Sequence, residues 1–166
     1  MKKLVGASAS LVVLAVLVIA ATALATPSSG VTSTTIAQGN LAEMDATGEI
    51  GDWSVRIQTK GQSQLVVVEN RVAPGGHFGW HSHPGPSLVI VKSGIATFYR
   101  GDDPSCTPHV YRPGDAYADP AGGVVHIVRN EGSEELVVIA TRLLRAGASP
   151  RIDEPDPGKC SRGRGR

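Results

Sequence analysis

The chain has 166 residues, a formal net charge of +1, 19% charged residues and 4% aromatics. That length suits a single modest domain. The near-neutral balance excludes a basic nucleic-acid-binding surface, so no nucleic acid is expected among its partners.

Residues 1–25 read as a secretory signal peptide. Lys2 and Lys3 give a positive start, residues 11–21 form an apolar run, and Ala23-Leu24-Ala25 is a small-x-small cleavage signal. The other reading is an uncleaved membrane anchor, because residues 4–25 are just long enough to span about 30 Å of hydrocarbon. The Ala-x-Ala end, followed by Thr26-Pro27-Ser28-Ser29-Gly30, favours cleavage. The expected protein is therefore secreted and extracellular, touching a membrane only during export. In an oxidising compartment Cys106 and Cys160 are expected to form a disulfide, the alternative being two unrelated thiols. A bridge closing a loop of that length stabilises a fold by about 4 kcal/mol in the chain-entropy account. Cys106 and His109 have Cys-x-x-His spacing, but no second such pair exists to complete a thiolate metal site.

Residues 26–50 form a lead and N-terminal arm. Positions 26–35 are rich in Ser, Thr, Pro and Gly and are expected to be poorly ordered, and 36–50, with Leu41, Met44 and Ile50, form an extended arm or short strand. From 51 to 145 short strands alternate with turns. Residues 53–60 alternate with period two, as in a half-buried strand, and 65–68 are a short β-branched run followed by 69–72 and a turn at Pro74-Gly75-Gly76. Residues 88–91 and 95–99 read as a hairpin about Lys92-Ser93-Gly94, and 110–112 and 116–118 repeat the pattern about Pro113-Gly114-Asp115. Residues 119–123 read as a loop, 124–129 and 135–144 as strands, and 146–166 as a solvated C-terminal tail. Short strands with Gly/Pro turns and no amphipathic helix mean an all-β sandwich or barrel. The runs 88–91 and 136–140 are apolar on both faces, which suggests cover by the arm or by a second subunit, hence a possible homodimer.

His81 and His83 lie two apart, so in a strand their imidazoles leave one face about 7 Å apart at the backbone and can converge on one ion. His126 stands on a later strand between Val124 and Val128, where an inward imidazole needs either a hydrogen-bond partner or an ion. His77 shares strand parity with His81 but follows Gly75-Gly76, which suggests a loop, and His109 follows Pro108 in a loop region. Trp80 has the opposite parity and should pack away from the histidines, while one of Phe98 and Tyr99 faces inward.

These residues resemble the cupin family. Gly75, His81, His83 and Gly94 are similar to the first cupin motif, with Pro74 before it. Gly114, Pro120, Gly122, His126 and Asn130 are similar to the second, with one extra residue before the histidine. The resemblance implies a double-stranded β-helix or jelly-roll barrel with His81, His83 and His126 pointing inside. It also implies a divalent transition metal there: Zn, Fe, Mn, Ni or Cu. Where cupins usually carry a glutamate ligand, this chain has Ser87. A bound ion is therefore expected on the three histidines alone, in a site more positive and more open than usual and attractive to a small anionic or oxygen-rich ligand. The functional expectation is a metal-dependent cupin, dioxygenase-, isomerase- or decarboxylase-like if it is an enzyme. The alternative is a non-catalytic extracellular binder or a metal-free barrel. No carboxylate accompanies the histidines in the motif, so no catalytic acid or base is named, and no residue is assigned to an organic cofactor.

Overall fold

The computed structural model describes residues 25–119 and 121–160. The expected signal peptide lies outside the described residues except for Ala25, as do Pro120 and residues 161–166 of the tail. Among the described residues there is no helix. Twelve strands form instead: β1 Ser29–Leu41, β2 Asp45–Ile50, β3 Trp53–Gln58, β4 Ser63–His77, β5 His81–Ser82, β6 Ser87–Ser93, β7 Ala96–Arg100, β8 His109–Tyr111, β9 Ala116–Asp119, β10 His126–Arg129, β11 Leu136–Arg145 and β12 Ile152–Asp153.

Ten of these form one antiparallel sheet folded into a nearly closed barrel. One half runs β1-β4-β11-β6-β9 and the other β12-β5-β10-β7-β8. The joint is β4. Up to Val72 it pairs with β11, whereas five residues on, His77 pairs with Arg129 of β10. Pro74-Gly75-Gly76, expected as a turn, is the kink inside β4 where the strand changes partners, with Gly75 at φ 74°. A Pro lacks the ladder donor and a Gly admits positive φ, so this triplet bends a strand without ending it.

Period-two alternation places the inner stripe. Val66, Val68 and Val72 of β4, Val89 and Val91 of β6, Phe98 of β7, Val128 of β10 and Leu136, Val138, Ala140 and Leu144 of β11 make one buried cluster. Full burial of a Val or Leu contributes about 1.5–3 kcal/mol, so this stripe is the main support of the barrel. A second cluster, Trp80, Tyr99, Ile127 and Cys160, lies on the other face of the β10 half. It explains why neighbours Ile127 and Val128 are both buried. Its cover is the C-terminal segment.

The expected hairpin about Lys92-Ser93-Gly94 does not form: β6 pairs with β11 and β9, whereas β7 crosses to β10 and β8. Three further stretches differ from expectation. Residues 29–35, expected as a poorly ordered lead, join the extended segment expected from 36 onward in one long strand, 29–41, that pairs with β4 along nearly its whole length. Residues 53–58 pair with β2, and every residue of that strand is exposed, so it is not half-buried: among the described residues no third layer packs on this hairpin. The tail is not simply solvated. β12 pairs with β5, the Ser82 hydroxyl donates to Glu154 Oε1 at 2.7 Å, and Arg129 Nη2 donates to the Cys160 carbonyl. Cys160 is bonded to Cys106, as expected, over a separation of 54 residues.

Candidate metal centre

The three expected histidines meet inside the barrel. His81 opens β5 and pairs in register with His126, the first residue of β10, and their ring centroids are 4.2 Å apart. His83 follows just past β5, with centroids 4.9 Å from His81 and 5.3 Å from His126. All three side chains are buried, and Phe98 stacks on His126 at 5.2 Å. His77 instead accepts the Gly79 N–H on Nδ1, His109 is exposed at the start of β8, and Trp80 faces away into the second cluster. Cys106, held in the disulfide, offers no thiolate.

The expectation that no carboxylate joins the histidines is overturned. Asp119 closes β9, with Oδ2 3.1 Å from His83 Nε2 and Oδ1 2.9 Å from His126 Nε2. One ligand atom from each of His81, His83, Asp119 and His126 lies within 4.8 Å of the other three, so this buried group could hold a metal ion. Asp119, expected as the first residue of a loop, is the last residue of β9. Ser87 explains the exchange: in the β6–β9 ladder it stands directly opposite Asp119, so a carboxylate absent from one strand is supplied by the neighbouring one across the same face.

The backbone sets the direction of each imidazole. His81 Nδ1 donates to the Gly79 carbonyl at 2.9 Å, His83 Nδ1 to the Pro150 carbonyl at 2.7 Å and His126 Nδ1 to the Val124 carbonyl at 2.9 Å. A carbonyl only accepts, so in the neutral ring the proton sits on Nδ1 and the Nε2 lone pair turns inward. Gly79 can make this loop because it has φ 74° and because a Cβ there would collide with the Thr26 carbonyl.

The inward atoms are short of partners. His126 Nε2 and Asp119 Oδ1 approach to 2.9 Å, yet both are buried without an aligned hydrogen bond. Lone pairs and a carboxylate facing one another away from water form a donor set that a cation satisfies, and these residue types suit a divalent transition ion. Burial, then the neighbouring His126 and Arg151, push the His81 pKa from 6.5 down to about 2. Burial works to raise Asp119, but where the His126 and His83 rings carry a proton on Nε2 as well, their hydrogen bonds and charge outweigh it and hold the carboxyl below the ordinary carboxylate range.

His81, His83 and Asp119 line a cavity of about 200 Å³ together with Ser87, Tyr117, Arg142 and Arg151, with Val89, Val128, Val138 and Ala140 among the apolar walls. Burial, then the Asp119 charge, pushes the Tyr117 phenol above its usual range. Arg142 was legible in principle, as the charge on the otherwise apolar parity of Val138, Ala140 and Leu144. Arg151 and the Pro150 carbonyl were not, since only the folded-back tail brings them here.

A family model described as a cupin domain matches residues 68–142. Among solved structures, a Rhodospirillum rubrum protein described as a cupin-2 domain is 17% identical, with 76% of this chain and 66% of that chain covered and a TM-score of 0.52. A Klebsiella pneumoniae protein with a double-stranded β-helix domain is 25% identical, with 54% and 74% covered and a TM-score of 0.45. A cupin superfamily protein from Desulfitobacterium hafniense is 17% identical, with 69% and 77% covered and a TM-score of 0.46. No curated protein matches the chain. Residues 68–142 are a cupin domain.

Proposed function

We propose that this is an exported cupin that binds one divalent transition metal through Nε2 of His81, His83 and His126 and the carboxylate of Asp119, and that it acts on a small oxygen-rich anion. The observation that carries the reading is the shared tautomer: three carbonyls hold the three Nδ1 protons, leaving three Nε2 lone pairs beside Asp119 in a buried cavity. An ion held there would supply Lewis-acid or redox chemistry to a bound oxygen atom. Polar groups in the cavity favour an enzyme over a passive binder, because Tyr117, Ser87, Arg142 and Arg151 can orient a ligand or move a proton where aliphatics alone could not. The Cys106–Cys160 bridge and the signal-like residues 1–25 support an oxidising, extracytoplasmic location. On the outer face of β6, Leu88 and Ile90 are 61% and 52% exposed, which favours a second copy of the chain as a partner.

Elemental analysis of the purified protein tests the metal. We expect about one equivalent per chain, lost in the His81→Ala/His83→Ala double variant and strongly reduced in Asp119→Asn. Equal trace metal in all three proteins, with circular dichroism confirming that each is folded, would refute the reading.

A further inference from the structure

The cavity beside the histidines holds more positive charge than the metal reading needs. Two guanidinium groups line it, and each keeps a buried N–H group without a partner: Nε of Arg142 and Nη2 of Arg151. The Ser87 hydroxyl, also lining it, is a third buried polar atom left unbonded. Arg151 is anchored at its other edge, where Nε donates to Asp153 Oδ1, so its free edge is held toward the cavity. Arg142, Ser87 and Asp119 form one row across β11, β6 and β9, as the pairings Arg142↔Ser87 and Ser87↔Asp119 show. Directly opposed residues share a face, so the row presents a guanidinium, a hydroxyl and a carboxylate side by side.

Burying an unpaired guanidinium N–H is costly, and doing so twice around one cavity needs a compensating acceptor. Asp119 is the single carboxylate among the described residues that line the space, and its oxygens lie against His83 and His126 rather than against either guanidinium. A small anionic ligand would supply the acceptors that the two N–H groups lack. The volume of about 200 Å³ matches roughly six or seven waters, so that ligand is small. Val31, Phe78, Val89, Val128, Val138 and Ala140 on the walls suit a carbon skeleton better than a bare inorganic anion.

We propose that Arg142 and Arg151, with the Ser87 hydroxyl, clamp a carboxylate of a small organic acid whose other oxygen-bearing end lies against the His81, His83, Asp119 and His126 group. The clamp shares its cavity with the proposed metal site and so deepens that reading, but its residues are separate. A fork-shaped guanidinium meets a carboxylate with two parallel hydrogen bonds, and two forks select for anionic oxygen where a neutral sugar or alcohol would leave both unpaired.

Isothermal titration of the purified full chain, its metal content measured on the same sample, tests this with malonate, acetate and inorganic phosphate. Malonate is expected to bind one to one and more tightly than acetate. Arg142→Gln and Arg151→Gln should each weaken malonate about tenfold or more while metal content and melting midpoint stay unchanged. Arg145→Gln, exposed on the same strand, should leave malonate binding as it was. Should Arg142→Gln misfold, Arg142→Lys keeps the charge without the fork and should give a partial loss. Malonate that fails to bind the wild type, binds both Gln variants equally well, or binds less tightly than phosphate overturns the clamp. Absence of metal with malonate binding still lost in both Arg variants would leave the clamp standing and remove the metal.

Discussion

At the scale of single residues, the site is determined less by the histidines than by what holds their far nitrogens. Each Nδ1–H is given to a main-chain carbonyl two residues back or, for His83, to Pro150 on the tail. For His81 the neutral ring is built into the fold, and this has a sign in pH. The His81 pKa is about 2 in the native protein against 6.5 unfolded, so below pH 6.5 the unfolded chain takes a proton that the folded one refuses. Its contribution is complete above pH 6.5 and declines as pH falls toward 2, by up to about 1.4 kcal/mol per pH unit. Asp119, also held low, acts in the same direction at more acid pH, below its ordinary value of 3.8. For chelator-treated protein the melting midpoint should therefore fall steeply between pH 6.5 and 4. His81→Asn, which keeps the hydrogen bond to Gly79, should flatten that slope. Parallel slopes for the two proteins would assign the acid sensitivity to another group.

At the scale of elements, register decides which side chains meet. A slip of one residue in β9 would turn Asp119 away from the cavity and leave only the three histidines, as the motif alone suggests. The C-terminal segment matters as much: β12 lies on β5, Pro150 orients His83, Arg151 lines the cavity, and the Cys106–Cys160 bridge ties the segment to the second buried cluster. A Cys106→Ser/Cys160→Ser variant should lose about 4 kcal/mol of stability. Hydrogen exchange at residues 150–154 should quicken far more than in β4 or β11, which are braced by long ladders on both sides. Unchanged protection of that segment would mean that the β5–β12 pairing and the Ser82–Glu154 bond suffice without the bridge.

At the scale of the whole molecule, the barrel leaves apolar surface uncovered. Ile50, Trp53, Val55 and Ile57 are exposed on the β2–β3 hairpin, and Leu88 and Ile90 on the outside of β6. The hairpin's exposed Asp45–Arg56 pair contributes at most about 1 kcal/mol, and a lone two-stranded hairpin is marginal. With a net charge of only +1, two copies do not repel strongly. Light scattering should give twice the mass of one chain, and Leu88→Ser/Ile90→Ser should give single chains with metal content unchanged; a single-chain wild type would remove the dimer. The barrel and the three histidines were legible in the sequence because period-two alternation, Gly/Pro turns and two spaced motifs are local patterns that survive in one dimension. Asp119, Arg142, Arg151 and the Pro150 carbonyl were not read from it, although Arg142 stood out by parity. Their roles depend on strand register and on a tail folding back across the barrel, and both are set by long-range packing. The sequence by itself determined an inward-facing set of imidazoles with Ser87 in the acid's place. Only the tertiary structure decided that Asp119, directly across the ladder from Ser87, restores the carboxylate, and that two arginines share its cavity.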